Sequence, residues 1–310
     1  MKLFLIKGLI SAVLLIGFVF GYGRFCDYFF TQKRFLDLSE KKQWVLAQEG
    51  GDWDYAILGS SRAFGAFDMN LLDSLTGMKG INIASDGSGF KDNYLILSLF
   101  LKSNSIDFLV LQVDDASLNS KESFSNEFHA FRFLPYWNDS QVQSTLKTEI
   151  PAYNNEITDL LPEWRYFYFN KYFSPKEVLR RWNNSKIQKD EYSNYAGGKG
   201  QSFQRLLDSS ADIKIKHSIK TIAPEDWHYL NQLISLAKNK DLKLVAFVAP
   251  TFYGDNSFLK ESLNELLIPI YFPDDFDDLN PELFYDLGHL NSKGRAEFTP
   301  LFAKFISSKI

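Results

Sequence analysis

The sequence predicts an α/β domain built on a parallel five-stranded sheet, with one transmembrane helix in front of it and a large insertion within it. Three observations support this prediction: an unbroken apolar run at the N-terminus, short apolar runs that alternate with helix-like stretches, and a stretch at 119–221 where the alternation stops. Continuous apolar strands that alternate with helices are typical of a parallel sheet with helices on both faces.

The N-terminal apolar run covers residues 3–22 and contains a single charge, Lys7. A helix of this length is about 30 Å long, enough to cross the hydrocarbon core of a bilayer. The run ends in bulky aromatic residues, where a cleaved signal peptide would carry small ones. We therefore expect a retained single-pass anchor, with the bulk of the chain extracytoplasmic, in the periplasm or at the cell surface. A cleaved signal peptide is the alternative, and a buried core helix is a third.

The remaining elements follow from the alternating pattern. The predicted strands lie at 54–59, 80–84, 106–113, 242–250 and 268–272. The predicted helices lie at 93–103, 225–241 and 291–310, and Pro300 marks either a kink or a late start of the last one. The expected domains are the anchor at 3–22, the first part of the α/β domain at 50–118, the insertion at 119–221 and the second part at 222–310.

The insertion is rich in aromatic residues, with seven in the ten positions 164–173. Because aromatic side chains bury large areas, the simpler interpretation is that they pack the insertion against the sheet domain. The alternative is a platform on which sugar rings stack near an active site, and Trp164 and Tyr166 are its candidate residues.

Composition excludes several classes of function. The net charge is −4, whereas nucleic-acid binders normally carry a basic surplus. The single cysteine excludes an internal disulfide and a cysteine-based metal cage. The four histidines, at 129, 217, 228 and 289, show no close ligand spacing. We expect no metal, no organic cofactor and no nucleic-acid partner.

A first chemical motif follows the first predicted strand, where Gly59 precedes Ser60, Ser61 and Arg62. Ligands bind at the carboxyl ends of strands in open α/β sheets. The glycine permits a sharp turn, which would present a serine hydroxyl beside the free amides of a helix start. The simpler interpretation of these serines is a helix N-cap.

A second motif comes just before the last helix, where Asp286 and His289 are three residues apart. A serine hydroxyl needs an adjacent base to act as a nucleophile, and a neutral imidazole suits that task. A carboxylate on the other ring nitrogen fixes the tautomer and stabilises the imidazolium. This spacing is common by chance and can represent a helix cap beside a surface histidine. It predicts a Ser-His-Asp triad only if the two motifs meet at one edge of the sheet.

The two motifs together resemble the SGNH (GDSL-like) hydrolases, whose nucleophile follows the first strand and whose last block is Asp-x-x-His. Residues 59–62 take the place of Gly-Asp-Ser-Leu, so the resemblance implies a flavodoxin-like (SGNH-type) sheet with Ser61 as the nucleophile. Residues 82–87 resemble the second block, which implies that the backbone N–H groups of Gly87 and Ser61 form the oxyanion hole.

The third block departs from the family's Gly-x-Asn-Asp pattern. Asp114 and Asp115 stand where glycines are expected, and Ala116 lies near the asparagine position. A carboxylate beside a developing oxyanion repels it unless the carboxylate is protonated or turned away, and loss of one donor lowers turnover by roughly 10²–10³. Asn119 is a substitute donor. This departure resembles the membrane-anchored members that occur beside membrane-bound O-acyltransferases.

The resemblance implies a membrane-tethered serine esterase or O-acyltransferase that acts on acyl, foremost acetyl, esters of a cell-envelope glycan. Its expected partners are an acylated glycan or small acyl ester and a membrane-bound O-acyltransferase. Arg62, Asp115, Trp164 and Tyr166 are the substrate-binding candidates. Arg62 would clamp an anionic polymer or an acyl-donor carbonyl, or else form a structural ion pair with Asp86 or Asp115.

A catalytically silent scaffold that binds a polysaccharide or a membrane acyltransferase is the alternative function. The changed third block favours the scaffold, and the intact serine, aspartate and histidine favour the enzyme. A phosphatase or nucleotidase is disfavoured, because the sequence shows no metal-ligand spacing.

Overall fold

The computed structural model describes residues 1–32, 41–114, 118, 130–168, 173–184, 203–204, 222–252 and 256–309. The candidate residues Asp115 and Asn119 lie outside this described part. By their contacts, the residues divide into two compact units. The helical unit comprises Met1–Ala47 and Phe124–Asp190, and the sheet unit comprises Gln48–Ser123 and Glu191–Ile310.

The α-helices in chain order are α1 (Lys2–Thr31), α2 (Lys41–Leu46), α3 (Ser61–Ala66), α4 (Met69–Thr76), α5 (Phe90–Phe100), α6 (Ser140–Glu149), α7 (Glu156–Leu160), α8 (Arg165–Tyr168), α9 (Pro175–Asn184), α10 (Pro224–Asn239), α11 (Ser257–Leu263) and α12 (Ser292–Ser307). Short 3₁₀ turns occur at Phe131–Tyr136, Pro151–Tyr153, Pro162–Trp164, Asn264–Leu266 and Pro281–Leu283.

The sheet has five strands, all parallel, in the order β2-β1-β3-β4-β5. The strands are β1 (Asp52–Leu58), β2 (Gly80–Asn82), β3 (Ser105–Gln112), β4 (Lys243–Phe247) and β5 (Ile270–Tyr271). The predicted α/β class and parallel five-stranded sheet are confirmed. After β1 the chain goes to one side and then returns to the other, so the strand order reverses between β1 and β3, the place where such sheets bind ligands.

The strands are buried on both faces, as their continuous apolar sequences require. Side chains alternate between the faces of a strand. In β1, Tyr55 and Ile57 point to one face, Ala56 and Leu58 point to the other, and all four are fully buried. The first face packs against rings of α12, where Phe298 and Phe302 contact other buried aromatic side chains.

The last helix begins at Ser292, so the predicted late start at Pro300 is wrong. Asn291 caps the helix by accepting hydrogen bonds from the amides of Lys293 and Gly294 at 2.9 and 3.0 Å. This cap satisfies two of the amides that any helix start leaves without a partner. Pro300 lies inside the helix.

Helix α1 is long and apolar enough to span a membrane, by its length and composition. The predicted span 3–22 lies within it, but the helix continues to Thr31. Large side chains from Leu3 to Phe18 are exposed, whereas Cys26, Phe29 and Phe30 are buried in the helical unit. The N-terminal part of α1 therefore presents apolar side chains outward, and its C-terminal part is core.

Among the described aromatic residues of the insertion, Tyr166 and Phe173 pack on the C-terminal part of α1, whereas Phe203 packs against Phe252 in the core of the sheet unit, as expected. Phe173 makes an edge-to-face contact with Phe30 at 4.6 Å between ring centroids, and Tyr166 contacts Phe173 at 4.7 Å. Arg165 and the Tyr166 hydroxyl both hydrogen-bond to the carboxylate of Asp27. These rings cover the apolar side chains of α1 that follow its exposed N-terminal segment.

Candidate active site

The turn after β1 separates the roles of the two adjacent serines. Ser60 is the N-cap of α3, and its Oγ accepts a hydrogen bond from the amide of Arg62 at 3.3 Å. Ser61 is the first residue of the helix. The N-cap interpretation thus applies to Ser60 and leaves the hydroxyl of Ser61 available for other contacts.

Gln112, the last residue of β3, holds this turn from the neighbouring strand. Its Oε1 accepts hydrogen bonds from the amides of Ser60 and Ala63, at 2.7 and 3.2 Å, and from Ser60 Oγ at 3.0 Å. A Cβ on Gly59 would lie 2.4 Å from that same oxygen. The glycine is required because the added Cβ would also lie 2.6 Å from Gln112 Cβ and 2.7 Å from Ala63 Cβ, two atoms that no side-chain rotation can move away.

The structure brings Ser61, His289 and Asp286 into one hydrogen-bonded line. Ser61 Oγ lies 2.8 Å from His289 Nε2, across 228 residues of sequence. His289 Nδ1 lies 2.8 and 3.0 Å from the two carboxylate oxygens of Asp286. These distances are those of a nucleophile, its base and the group that orients the base.

Backbone contacts fix the loop that carries the aspartate and the histidine. The Tyr285 amide donates to the carbonyl of His289 at 2.8 Å, and the Gly288 amide donates to Asp286 Oδ1 at 2.8 Å. The side-chain amide of Asn291 donates to the carbonyls of Glu282 and Phe284, at 2.8 and 3.2 Å. Asn291 therefore joins the loop to the start of α12, which it also caps.

The Asp286 carboxylate is kept in its charged form. Burial alone would raise its pKa, but the hydrogen bond and charge of His289 and the amides of Gly288 and His289 lower the pKa below the usual 3.8. An ionised Asp286 accepts a hydrogen bond from the N–H at His289 Nδ1, which leaves Nε2 as the acceptor for the Ser61 hydroxyl. About a quarter of the His289 side chain, 26%, is exposed, so the line is open to solvent.

The two amides predicted to form the oxyanion hole belong to the turn after β1 and to the loop after β2. Within the described part of the chain, neither the Ser61 amide nor the Gly87 amide has a hydrogen-bond acceptor. Gly87 is exposed and has a φ of 64°, in a loop that begins after β2. The Ser85 amide ties this loop to the carbonyl of Gly59 at 3.0 Å, just before the nucleophile turn.

Asn82, the first residue of the second block, connects β2 to the nucleophile helix. Its side-chain amide donates to the carbonyls of Ala63 and Phe64, at 3.2 and 3.4 Å, and its Oδ1 accepts from the Ala84 amide at 3.0 Å. The asparagine is buried and all of these partners are backbone groups. It therefore fixes the start of the Gly87 loop relative to α3.

The carboxylate of Asp114, in the changed third block, faces Arg62 and Gln112. Asp114 is buried and lies 3.7 Å from the Arg62 guanidinium. It also accepts a hydrogen bond from Gln112 Nε2. The positive charge of Arg62 offsets the negative charge of Asp114, which would otherwise repel a developing oxyanion. Asp86 and Asp115 are the partners that the sequence predicts for Arg62, and Asp114 is not among them.

The two aromatic candidates belong to the helical unit. Tyr166 is 1% exposed and its hydroxyl donates to Asp27, so no face of the ring is open to a sugar. The prediction that Tyr166 binds substrate is therefore wrong. Trp164 is partly buried and stacks on Phe167 at 5.1 Å between ring centroids.

Comparison of the whole sequence with protein-family models gives no match, and a search of curated proteins finds no relative. The resemblance to SGNH hydrolases depends on the sequence motifs quoted above.

Proposed function

We propose that the protein is a serine esterase or O-acyltransferase of the SGNH type. The observation that carries this proposal is the line from Ser61 Oγ through His289 to Asp286, with 2.8 Å at each of its two junctions. The strand order 2-1-3-4-5 is also that of flavodoxin-like sheets, and the line lies at the carboxyl end of β1, beside the point where the strand order reverses.

In this mechanism, Ser61 Oγ forms a bond to the acyl carbon while its proton passes to His289 Nε2. The carbonyl oxygen becomes an oxyanion, which the amides of Ser61 and Gly87 stabilise. The C–O bond to the alcohol then breaks, and the alcohol oxygen takes the proton from His289. Asp286 stabilises the imidazolium throughout. Water or a sugar hydroxyl then attacks the acyl-enzyme through the same steps. Attack by water gives hydrolysis, and attack by a sugar hydroxyl gives acyl transfer.

The natural substrate is an acyl ester of a cell-envelope glycan, and the acyl group is acetyl. The apolar segment of α1 supports a location at the membrane, and the basic leader before a long domain supports an extracytoplasmic orientation. A membrane-bound O-acyltransferase is the protein partner in this proposal.

Labelling with a fluorescent fluorophosphonate tests the proposal, because this probe forms a covalent bond only with an activated serine. We expect the full-length protein to be labelled and Ser61→Ala to lose labelling. The matched control is Ser60→Ala, which removes the neighbouring hydroxyl and costs about 1 kcal/mol of helix capping but retains the nucleophile.

The second candidate is a catalytically silent scaffold, favoured by the third block, where Asp114 stands in place of a glycine of the SGNH pattern. A folded wild-type protein that takes no label, with near-ultraviolet circular dichroism equal to that of Ser61→Ala, would support the scaffold and contradict the enzyme.

A further inference from the structure

The exposed apolar segment of α1 ends where the helical unit closes around the helix. At Gly23, a Cβ would lie 2.3 Å from the Cβ of Glu163, so this position of α1 touches the turn Pro162–Trp164 directly. The Arg24 guanidinium also pairs with Glu163 at 3.2 Å. If α1 spans a membrane over residues 3–22, these two contacts hold the turn Pro162–Trp164 at the end of the span, where α1 leaves the hydrocarbon core.

Aromatic rings and an arginine surround α1 at this level. Tyr22 contacts Phe167 at 6.2 Å between ring centroids, and Trp164 stacks on Phe167 at 5.1 Å. The Arg24 guanidinium, which is half exposed, lies 5.3 Å from the ring of Phe20. Aromatic rings and extended basic side chains are typical of the boundary between lipid and water.

Two exposed apolar side chains directly precede the turn. Leu160 is 89% exposed and Ile157 is 56% exposed. Three residues apart on α7, they lie on one face of the helix. The Cα of Leu160 is within about 11 Å of that of Glu163, because three residues separate them along the chain. The acidic residue between them, Asp159, is paired with Lys147.

We propose that Ile157 and Leu160, here named the apolar tip, insert into the lipid bilayer that α1 spans. The occupant is the boundary of headgroups and acyl chains, to a depth of about 5–10 Å. Continuity with the apolar segment of α1 favours lipid, since the tip lies next to the turn that touches α1 at its exit level. The helical unit then rests on the membrane surface at two points and holds α1 at a fixed angle.

The test places an environment-sensitive fluorophore, NBD, on single introduced cysteines of the full-length protein. The variants are Leu160→Cys in the tip, Leu9→Cys in the apolar segment of α1, and Thr31→Cys at the end of α1. The native Cys26 is fully buried and is checked for labelling in the unsubstituted protein. Each labelled protein is reconstituted into phosphatidylglycerol–phosphatidylethanolamine vesicles with and without a doxyl-labelled phospholipid.

We expect the doxyl lipid to quench the label at Leu160 nearly as strongly as the label at Leu9. The label at Thr31 should be quenched much less, because Thr31 is about 12 Å farther along the helix than Gly23. Ile157→Cys on the same face should behave as Leu160→Cys and replaces it if that variant does not fold.

Quenching at Leu9 without quenching at Leu160 or Ile157 would overturn the proposal. A label at Leu160 that is shielded only as protein concentration rises would assign the tip to a second copy of the chain and would also overturn it. Absence of quenching at Leu9 would show that α1 does not span these vesicles and would also overturn the proposal, which requires a spanning α1. None of these outcomes bears on labelling of Ser61.

Discussion

Gln112 places one carbonyl oxygen beneath the turn that carries the nucleophile. Because Gln112 Nε2 donates to Asp114, its Oε1 must face the amides of Ser60 and Ala63. Asp114 therefore fixes the orientation of the glutamine amide. The residue that departs from the family pattern has a positioning role in the turn before Ser61.

Replacing Gln112 tests this role. Gln112→Met keeps the size of the side chain but leaves the buried amides of Ser60 and Ala63 without an acceptor. We expect the free energy of unfolding to fall by about 1–3 kcal/mol and the rate of fluorophosphonate labelling to fall with it. Leu111→Met, one position earlier in β3, is the control and should change stability by less than about 1.5 kcal/mol. Equal labelling rates in the two variants would contradict the positioning role.

The carboxylate of Asp286 makes stability depend on pH in a defined direction. Its pKa is lowered in the folded protein, so its ionisation stabilises the fold above the unfolded-state pKa, about 3.9, and this contribution is lost as the pH falls through the folded-state pKa. We expect Asp286→Asn to be less stable than the wild type at neutral pH and equally stable in strong acid. Denaturant unfolding of both proteins at several pH values measures this difference. A difference in the free energy of unfolding that stays constant down to strong acid would contradict the ionised carboxylate.

The existence of the strands was predictable from sequence, but their ends were not. The fourth apolar run was predicted at 242–250, whereas β4 ends at Phe247, and the fifth at 268–272, whereas β5 is Ile270–Tyr271. A strand ends where its hydrogen bonds to the neighbouring strands end, and its own sequence does not show where that is. The role of Gln112 was hidden for the same reason, because only the pairing of β1 with β3 brings it beneath Ser60.

The pairing of Asp286 with His289 could be predicted from their spacing, whereas the contact of His289 with Ser61 depended on two distant motifs meeting at one edge of the sheet. Asp286 and His289 lie in one turn, so their contact needs no distant partner. The packing of Tyr166 and Phe173 on α1 could not be predicted, since aromatic rings fit a sheet face and a helix face equally well. The end of α1 was missed because residues 23–31 include charges that are satisfied only by the helical unit, as Asp27 is by Arg165.

At the start of α12, Asn291 joins two functions that substitutions can separate. Asn291→Ala removes both the helix cap and the donor to the loop of Asp286, and we expect a loss of about 1–2 kcal/mol in stability and slower labelling of Ser61. Asn291→Asp retains a capping oxygen but loses the donor to Glu282 and Phe284, so its stability should fall less while its labelling remains slow. Normal labelling in Asn291→Asp would contradict the link between this loop and the triad.

The whole molecule contains a helical unit, whose N-terminal segment is apolar, and a sheet unit that carries the line from Ser61 to Asp286. Retention of α1 predicts that the full-length protein stays in the membrane fraction after an alkaline wash and is released by detergent. Arginine in place of Leu9 and Val13 should lower this retention, because charged side chains in the hydrocarbon core are costly. A soluble chain whose N-terminus begins after residue 22 would identify a cleaved signal peptide instead.

The central claim is that Ser61 is the activated nucleophile of the line through His289 to Asp286. The most direct measurement is tandem mass spectrometry of the peptide that spans Gly59–Ala63 after reaction with a fluorophosphonate. We expect one phosphonate adduct, carried by Ser61, in the wild type, and strongly reduced adduct formation in His289→Ala. An adduct on Ser60, or equal adduct formation in wild type and His289→Ala, would contradict it.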